Sequence, residues 1–106
     1  MFDVYNRSLE LVAQLAKLVP DLERRDRDLA KQLRRAASST VLNIAEGSRR
    51  EGGDRTYHYR VAAGSNAETR ACLQAAAAWG HVAPAAAATA LATQDRVAAM
   101  LYRLTR

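Results

Sequence analysis

The stretch QLRRAASSTVLNIAEGSRR, residues 32–50, decides the fold of this chain. Together with Leu29, the positions Leu33, Ala36, Thr40, Ile44 and Gly47 recur at three- and four-residue intervals, the spacing of one face of an α-helix turned toward a core. Asn43, Glu46 and Gly47 interrupt that helix with polar or absent side chains, and polar groups held at such positions need partners. A complementary interruption follows in RVAAGSNAE, residues 60–68, where Gly64, Ser65 and Glu68 break the stripe of another helix. Two helices that pack closely and answer each other's polar groups account for both.

Working outward, residues 3–19 carry Val4, Leu11, Leu15 and Leu18 beside Tyr5, Leu9, Val12, Ala16 and Val19, which predicts a first helix with a wide apolar stripe. Pro20 is expected to end it, and Asp21, Asp26 or Asp28 to cap the next. The second helix is predicted from about Arg27 to Arg50. Gly52 and Gly53 form the turn, and Asp54 reads as the N-cap of a third helix with Tyr57, Val61, Gly64, Glu68, Cys72, Ala75 and Trp79 inward. Gly80 stops that helix. Pro84 opens a fourth, running to about Leu104 through Leu91, Val97, Leu101 and Tyr102. Short connections make neighbours antiparallel, so the expected fold is all-α, an up-down-up-down four-helix bundle in a single domain, residues 1–106. No period-two pattern competes with it.

About the pivot at Gly52, residues whose numbers sum to roughly 104 lie level. Thr40 then faces Gly64, Asn43 lies near Val61, and Glu46 lies near His58 and Arg55. Glu68 is expected to form a partly buried ion pair with Arg35 or Arg34. Glu46 and His58 raise the question of a metal or an acid–base site. Bundle metal sites carry Glu-x-x-His pairs, which this chain lacks, and no nucleophile or phosphate loop accompanies the two side chains. Glu46 is read instead as satisfying backbone amides or Arg55, with no catalytic residue, metal or cofactor expected.

The length, 106 residues, is enough to bury about 60–65% of the unfolded surface without staples. Cys72, the single cysteine, has no partner for an internal bridge and reads as a small buried hydrophobe. Neither a secretion signal nor a run of about 18 apolar residues appears, so a cytoplasmic protein is expected. The net charge of +5 rests mostly on arginine, whose planar fork suits phosphate. Codon bias in a GC-rich genome accounts for such a composition equally well. Arg24, Arg25, Arg27, Lys31, Arg34 and Arg35 crowd the start of helix two, and Arg49, Arg50, Arg55 and Arg60 surround the glycine turn. A basic stripe is an electrostatic footprint for nucleic acid, although Glu23, Asp26, Asp28 and Glu51 are interspersed and offer pairing on a solvated face. Tyr57 and Tyr59 flank the second group and are candidates for stacking on unpaired bases, with Tyr57 more simply read as core.

The ordered pair NIAEG (43–47) and AAGSNAE (62–68) resembles the four-helix-bundle proteins encoded in intervening sequences of 23S ribosomal RNA genes, whose sister branch comprises accessory variability proteins of diversity-generating retroelements. Gln32, Arg34, Arg35, Ala36 and Ala37 match the lead-in, and Tyr57, Tyr59, Ala63, Gly64, Ser65 and Glu68 match the third helix. The resemblance covers roughly residues 2–82, and the alanine-rich tail after Val82 departs from it. It implies a homopentameric ring with a basic surface, associated with RNA or with a reverse transcriptase and its template. The function expected is therefore a non-catalytic, ring-forming bundle that binds RNA or single-stranded DNA, a reverse-transcriptase-type partner, or both. Arg27, Lys31, Arg34, Arg49, Arg50, Arg55 and Arg60 are its candidate nucleic-acid contacts, and Arg35, Asn43, Glu46, Gly47, Gly64, Ser65 and Glu68 its scaffold motif. The alternative is a protein-binding adaptor without nucleic-acid contact. Neither reading involves a membrane.

Overall fold

A computed structural model describes residues 3–106; Met1 and Phe2, within the expected domain, lie outside the described residues. Four helices follow one another: α1, Asp3–Arg25; α2, Arg27–Ser48; α3, Gly52–Ala78; and α4, Pro84–Leu104. α1 and α3 each pack against both α2 and α4, and the α2–α3 interface is the most extensive. Every sequential pair is antiparallel, which gives the expected all-α, up-down-up-down bundle. Among the described residues no helix is long and apolar enough to cross a membrane.

Helix boundaries follow local chemistry, with three departures from expectation. α1 runs through Pro20 to Arg25 rather than ending at Val19. Proline forfeits one backbone hydrogen bond, at a cost of about 3 kcal/mol. Leu18, Val19 and Leu22 are all buried around it, and each such side chain contributes about 1.5–3 kcal/mol, so continuing the helix wins. Asp26 alone separates α1 from α2; its Oδ1 accepts the Leu29 amide at 3.0 Å as the N-cap. α2 ends at Ser48, two residues early, where the Arg49 and Arg50 amides fold back onto the Glu46 and Gly47 carbonyls, each at 3.1 Å. α3 starts at Gly52, whose φ of +58° turns the chain before Asp54. Asp54 thus sits inside the first turn, where it faces the positive end of the helix dipole without capping it. At the other end of α3 the His81 amide reaches the Ala76 carbonyl at 2.9 Å and the Gly80 amide reaches Ala77 at 3.0 Å, the Schellman arrangement that Gly80's φ of +75° permits.

The core is divided. One apolar cluster gathers Leu11, Leu15, Leu18, Leu22, Leu33, Leu73 and Ala90. The other gathers Val4, Ile44, Tyr59, Ala62, Val97 and Leu101. Between them every helix contributes buried polar side chains: Ser8, Thr40, Asn66 with Thr69, and Thr93 with Gln94. Most answer their own helix, as Ser8 does with the Tyr5 carbonyl at 2.7 Å and Thr40 with Ala36 at 2.9 Å. The buried stripe of α3 is Tyr59, Ala62, Asn66, Thr69, Cys72, Leu73 and Ala76. That corrects the expected inward stripe by roughly a third of a turn. Tyr57 and Trp79 are exposed, at 62% and 71%, and so are Gly64 and Glu68. Alanine is as compatible with a packed core as with a surface, so the tail of α3 gave its rotation no strong signal. The polar belt decides it.

Candidate nucleic-acid interface

The motif residues of α2 and α3 meet as a hydrogen-bonded seam. Asn43 Nδ2 donates to the Ser39 carbonyl at 2.9 Å and to Ser39 Oγ at 3.2 Å. Ser39 Oγ and Ser65 Oγ lie 2.8 Å apart. With its amide nitrogen so engaged, Asn43 Oδ1 accepts from His58 Nδ1 at 3.1 Å, which assigns the ring proton to Nδ1. Asn43, expected level with Val61, thus bonds to His58, about one turn earlier on α3. Gly47 is buried because a Cβ there would stand 2.7 Å from the Tyr59 ring; the aromatic that fills this part of the core is Tyr59, not Tyr57. A Cβ on Gly64 would meet nothing within 4 Å, so the α2–α3 approach rests on the serines instead.

The expected Glu68 ion pair is absent. Arg35 and Glu68 are both exposed and share no bond; both act on Cys72, whose thiol is pushed up first by burial, then by the Glu68 charge, and pulled down by Arg35. Each carboxylate and arginine is hydrated where it stands, and burying the pair would cost more than it returns. Arg34 instead forks onto Glu23 of α1, Nη1 to Oε2 at 3.2 Å and Nη2 to Oε1 at 3.1 Å. This hydrogen bond, and then the guanidinium charge, hold Glu23 below the usual carboxylate range. Glu46 is likewise held low by Arg50, whose Nε lies 2.9 Å from its Oε2. The expected partner, Arg55, is occupied elsewhere: its Nε donates to the Arg50 carbonyl at 2.8 Å and its Nη2 to Ser48 at 3.4 Å, closing the end of α2.

The predicted contacts therefore fall into two classes. Arg34, Arg50 and Arg55 already have partners, whereas Arg27, Lys31, Arg49 and Arg60 are exposed and their side chains form no hydrogen bond or ion pair among the described residues. The two groups sit at opposite ends of α2, about 33 Å apart by helical rise between Arg27 and Arg49. One chain thus carries two separate basic patches. Among the described residues no group of three His, Cys, Asp or Glu side chains is placed to hold a metal ion.

Two features escaped the sequence reading. Asn66 and Gln94 are buried and bonded to each other's backbones at 3.2 and 3.3 Å. Arg70 joins them by reaching Gln94 Oε1 at 3.1 Å and Asp95 at 2.6 Å. The signal was present, since Gln94 falls on the inward spacing 90, 94, 97, 101 of α4. The second feature is the exposed indole of Trp79, nearly parallel to the His81 ring at 12°, with centroids 6.1 Å apart.

No curated protein matches this sequence. Among solved structures, the chain is similar to a protein of unknown function from the S23 ribosomal protein family of Bacteroides thetaiotaomicron, with a TM-score of 0.87. Identity is 18%, over 97% of this chain and 98% of that one, so the likeness carries the fold. The family model described as 23S rRNA-intervening sequence protein matches residues 1–103, extending through the alanine-rich helix that the sequence resemblance had left out. With that match over nearly its whole length, the chain belongs to the 23S rRNA-intervening sequence protein family.

Proposed function

We propose that this protein is a non-catalytic, basic, self-associating bundle of the cytoplasm that binds nucleic acid, RNA foremost, through arginine–phosphate contacts. The observation that carries this reading is the set of exposed, unbonded cations Arg27, Lys31, Arg49 and Arg60 on a chain of net charge +5. The family's link by name to ribosomal RNA supports RNA as the polyanion. Assembly into a ring, a homopentamer on the family resemblance, multiplies both patches around an axis. Binding to a reverse-transcriptase-type partner belongs to the same reading, because such a partner carries RNA.

A second reading, the protein-binding adaptor, draws on the exposed Leu42, at 66%, and on a groove of about 340 Å³ between α1 and α2 that the half-buried Val12 borders and the buried Leu15, Val19 and Leu33 underlie. Titrating RNA binding with salt separates the two. Four phosphate contacts give a log–log slope of roughly −3 on single strands, at about 0.7 per contact. Alanine at Arg27, Lys31, Arg49 and Arg60 is expected to flatten that slope and weaken all sequences alike, while alanine at the paired Arg34 and Arg50 does less. Absence of binding at low salt, or binding indifferent to salt and to these replacements, favours the adaptor.

A further inference from the structure

The chain's single tryptophan is the most exposed large hydrophobic side chain among the described residues, at 71%. Trp79 is not on a frayed end. It sits in the Schellman turn that closes α3, where the bonds from Gly80 to Ala77 and from His81 to Ala76 hold the backbone. The His81 ring lies alongside, within 12° of parallel. His81 in turn approaches Asp26, Nε2 to Oδ2 at 3.9 Å, and Asp26 caps α2. The two rings thereby lie beside the α1–α2 turn, where Arg25 and Arg27, the immediate neighbours of Asp26, are exposed and form no ion pair among the described residues. An aromatic face, a parallel imidazole and arginines therefore share one end of the bundle.

We infer that Trp79 and His81 form a stacking platform for an unpaired base, with Arg25 and Arg27 receiving the flanking phosphates; this subsite deepens, and rests on, the nucleic-acid reading above. Every base has a π-face that stacks on an indole without regard to sequence. In a duplex those faces are already covered, so the platform selects single strands. An exposed tryptophan also serves as an anchor at protein interfaces, but such anchors sit within a wider apolar patch. Among the described residues the other exposed large hydrophobics, Leu9, Leu42, Tyr57, Tyr102 and Leu104, all lie outside the α1–α2 turn and the α3–α4 loop. Trp79 instead shares its end of the bundle with the exposed Arg25 and Arg27.

The test compares three probes on the intact protein: a short oligouridylate, an RNA duplex of the same length, and linear polyphosphate, which has the charge without bases. Oligouridylate is expected to quench the Trp79 emission, while polyphosphate competes for the arginines without quenching. Trp79→Ala should weaken oligouridylate binding by about fivefold to a hundredfold, leaving duplex and polyphosphate binding unchanged, and Trp79→Phe should retain most of the affinity. An unchanged urea midpoint controls for folding. If Trp79→Ala binds oligouridylate as the parent does, with the same salt slope, the platform is overturned and the arginine reading stands, which leaves the indole to a protein contact. If no probe binds the parent at low salt, the nucleic-acid reading falls and the platform with it.

Discussion

Asn66 and Gln94 each donate a side-chain hydrogen bond to the other's backbone carbonyl across the α3–α4 interface, at 3.2 and 3.3 Å. This reciprocal pair, buried at 1% and 2%, sits in the polar belt that splits the two apolar clusters and so fixes the rotation and depth of α4 against α3. Buried amides tolerate few alternative registers, because a slip of one turn leaves both donors unpaired.

Asn66→Ala and Gln94→Ala are each expected to lower unfolding free energy by about 1–3 kcal/mol, the cost of losing a buried hydrogen bond and its packing. Because each acceptor is a main-chain carbonyl, it survives replacement of the side chain it belongs to. The two losses should therefore add, which is unusual for residues in contact. Urea denaturation of both single variants and the double variant measures this, and a coupling well above about 0.5 kcal/mol would contradict it.

The two signature glycines should respond oppositely to alanine. Gly47→Ala drives a methyl against Tyr59 Cε1 at 2.7 Å and Cδ1 at 2.8 Å, and forcing a buried ring aside costs about 1–3 kcal/mol. Gly64→Ala meets nothing within 4 Å and replaces a poor helix former by the best one, for a gain of up to about 1 kcal/mol within a single chain. Thermal or urea unfolding of the two variants side by side distinguishes them. Equal destabilisation would mean that another copy packs against Gly64.

Cys72 carries a pH signature. Its thiol ionises above the ordinary 9.0 in the folded chain, chiefly because it is buried. The unfolded chain gives up this proton first, so the stability linked to Cys72 is intact below pH 9.0 and declines as pH rises from there toward the folded-state value. The parent should lose stability over that window relative to Cys72→Ala. Removing charge reports the neighbours: Glu68→Gln should lower the thiol pKa and Arg35→Ala raise it, read from the pH dependence of alkylation. Glu68→Ala should leave the urea midpoint near the parent's, since its carboxylate is exposed and unbonded.

Self-association is expected to use the outer apolar surface. Leu42 lies opposite the buried stripe of α2, and the half-buried Val12 borders the α1–α2 groove. Light scattering should return a multiple of the 11.6 kDa chain mass, five-fold on the family resemblance, and Leu42→Glu should reduce it. The mass of a single chain at micromolar concentration would overturn the ring.

The amino-acid sequence by itself determined the number, order and approximate length of the helices, because three-and-four periodicity, Gly52, Gly80 and Pro84 act within a few residues of where they stand. It also determined that α2 and α3 lie level near Thr40 and Gly64, one residue from the Ser39–Ser65 contact, since a tight turn makes register a matter of counting. Tertiary structure alone decided the rest. Whether Pro20 breaks α1 depended on Leu22 finding a core. The side of α3 that is buried depended on Asn66 meeting Gln94, a residue 28 positions away on a helix whose many alanines carry little directional signal. The freedom of an arginine depended on which carboxylate lay within reach: Glu23 takes Arg34 from across a helix boundary, Glu46 takes Arg50, and Glu68 takes none. Local spacing specifies elements because backbone hydrogen bonds are local, whereas ion pairs, buried amides and exposed aromatics are settled only when elements far apart in sequence are brought face to face.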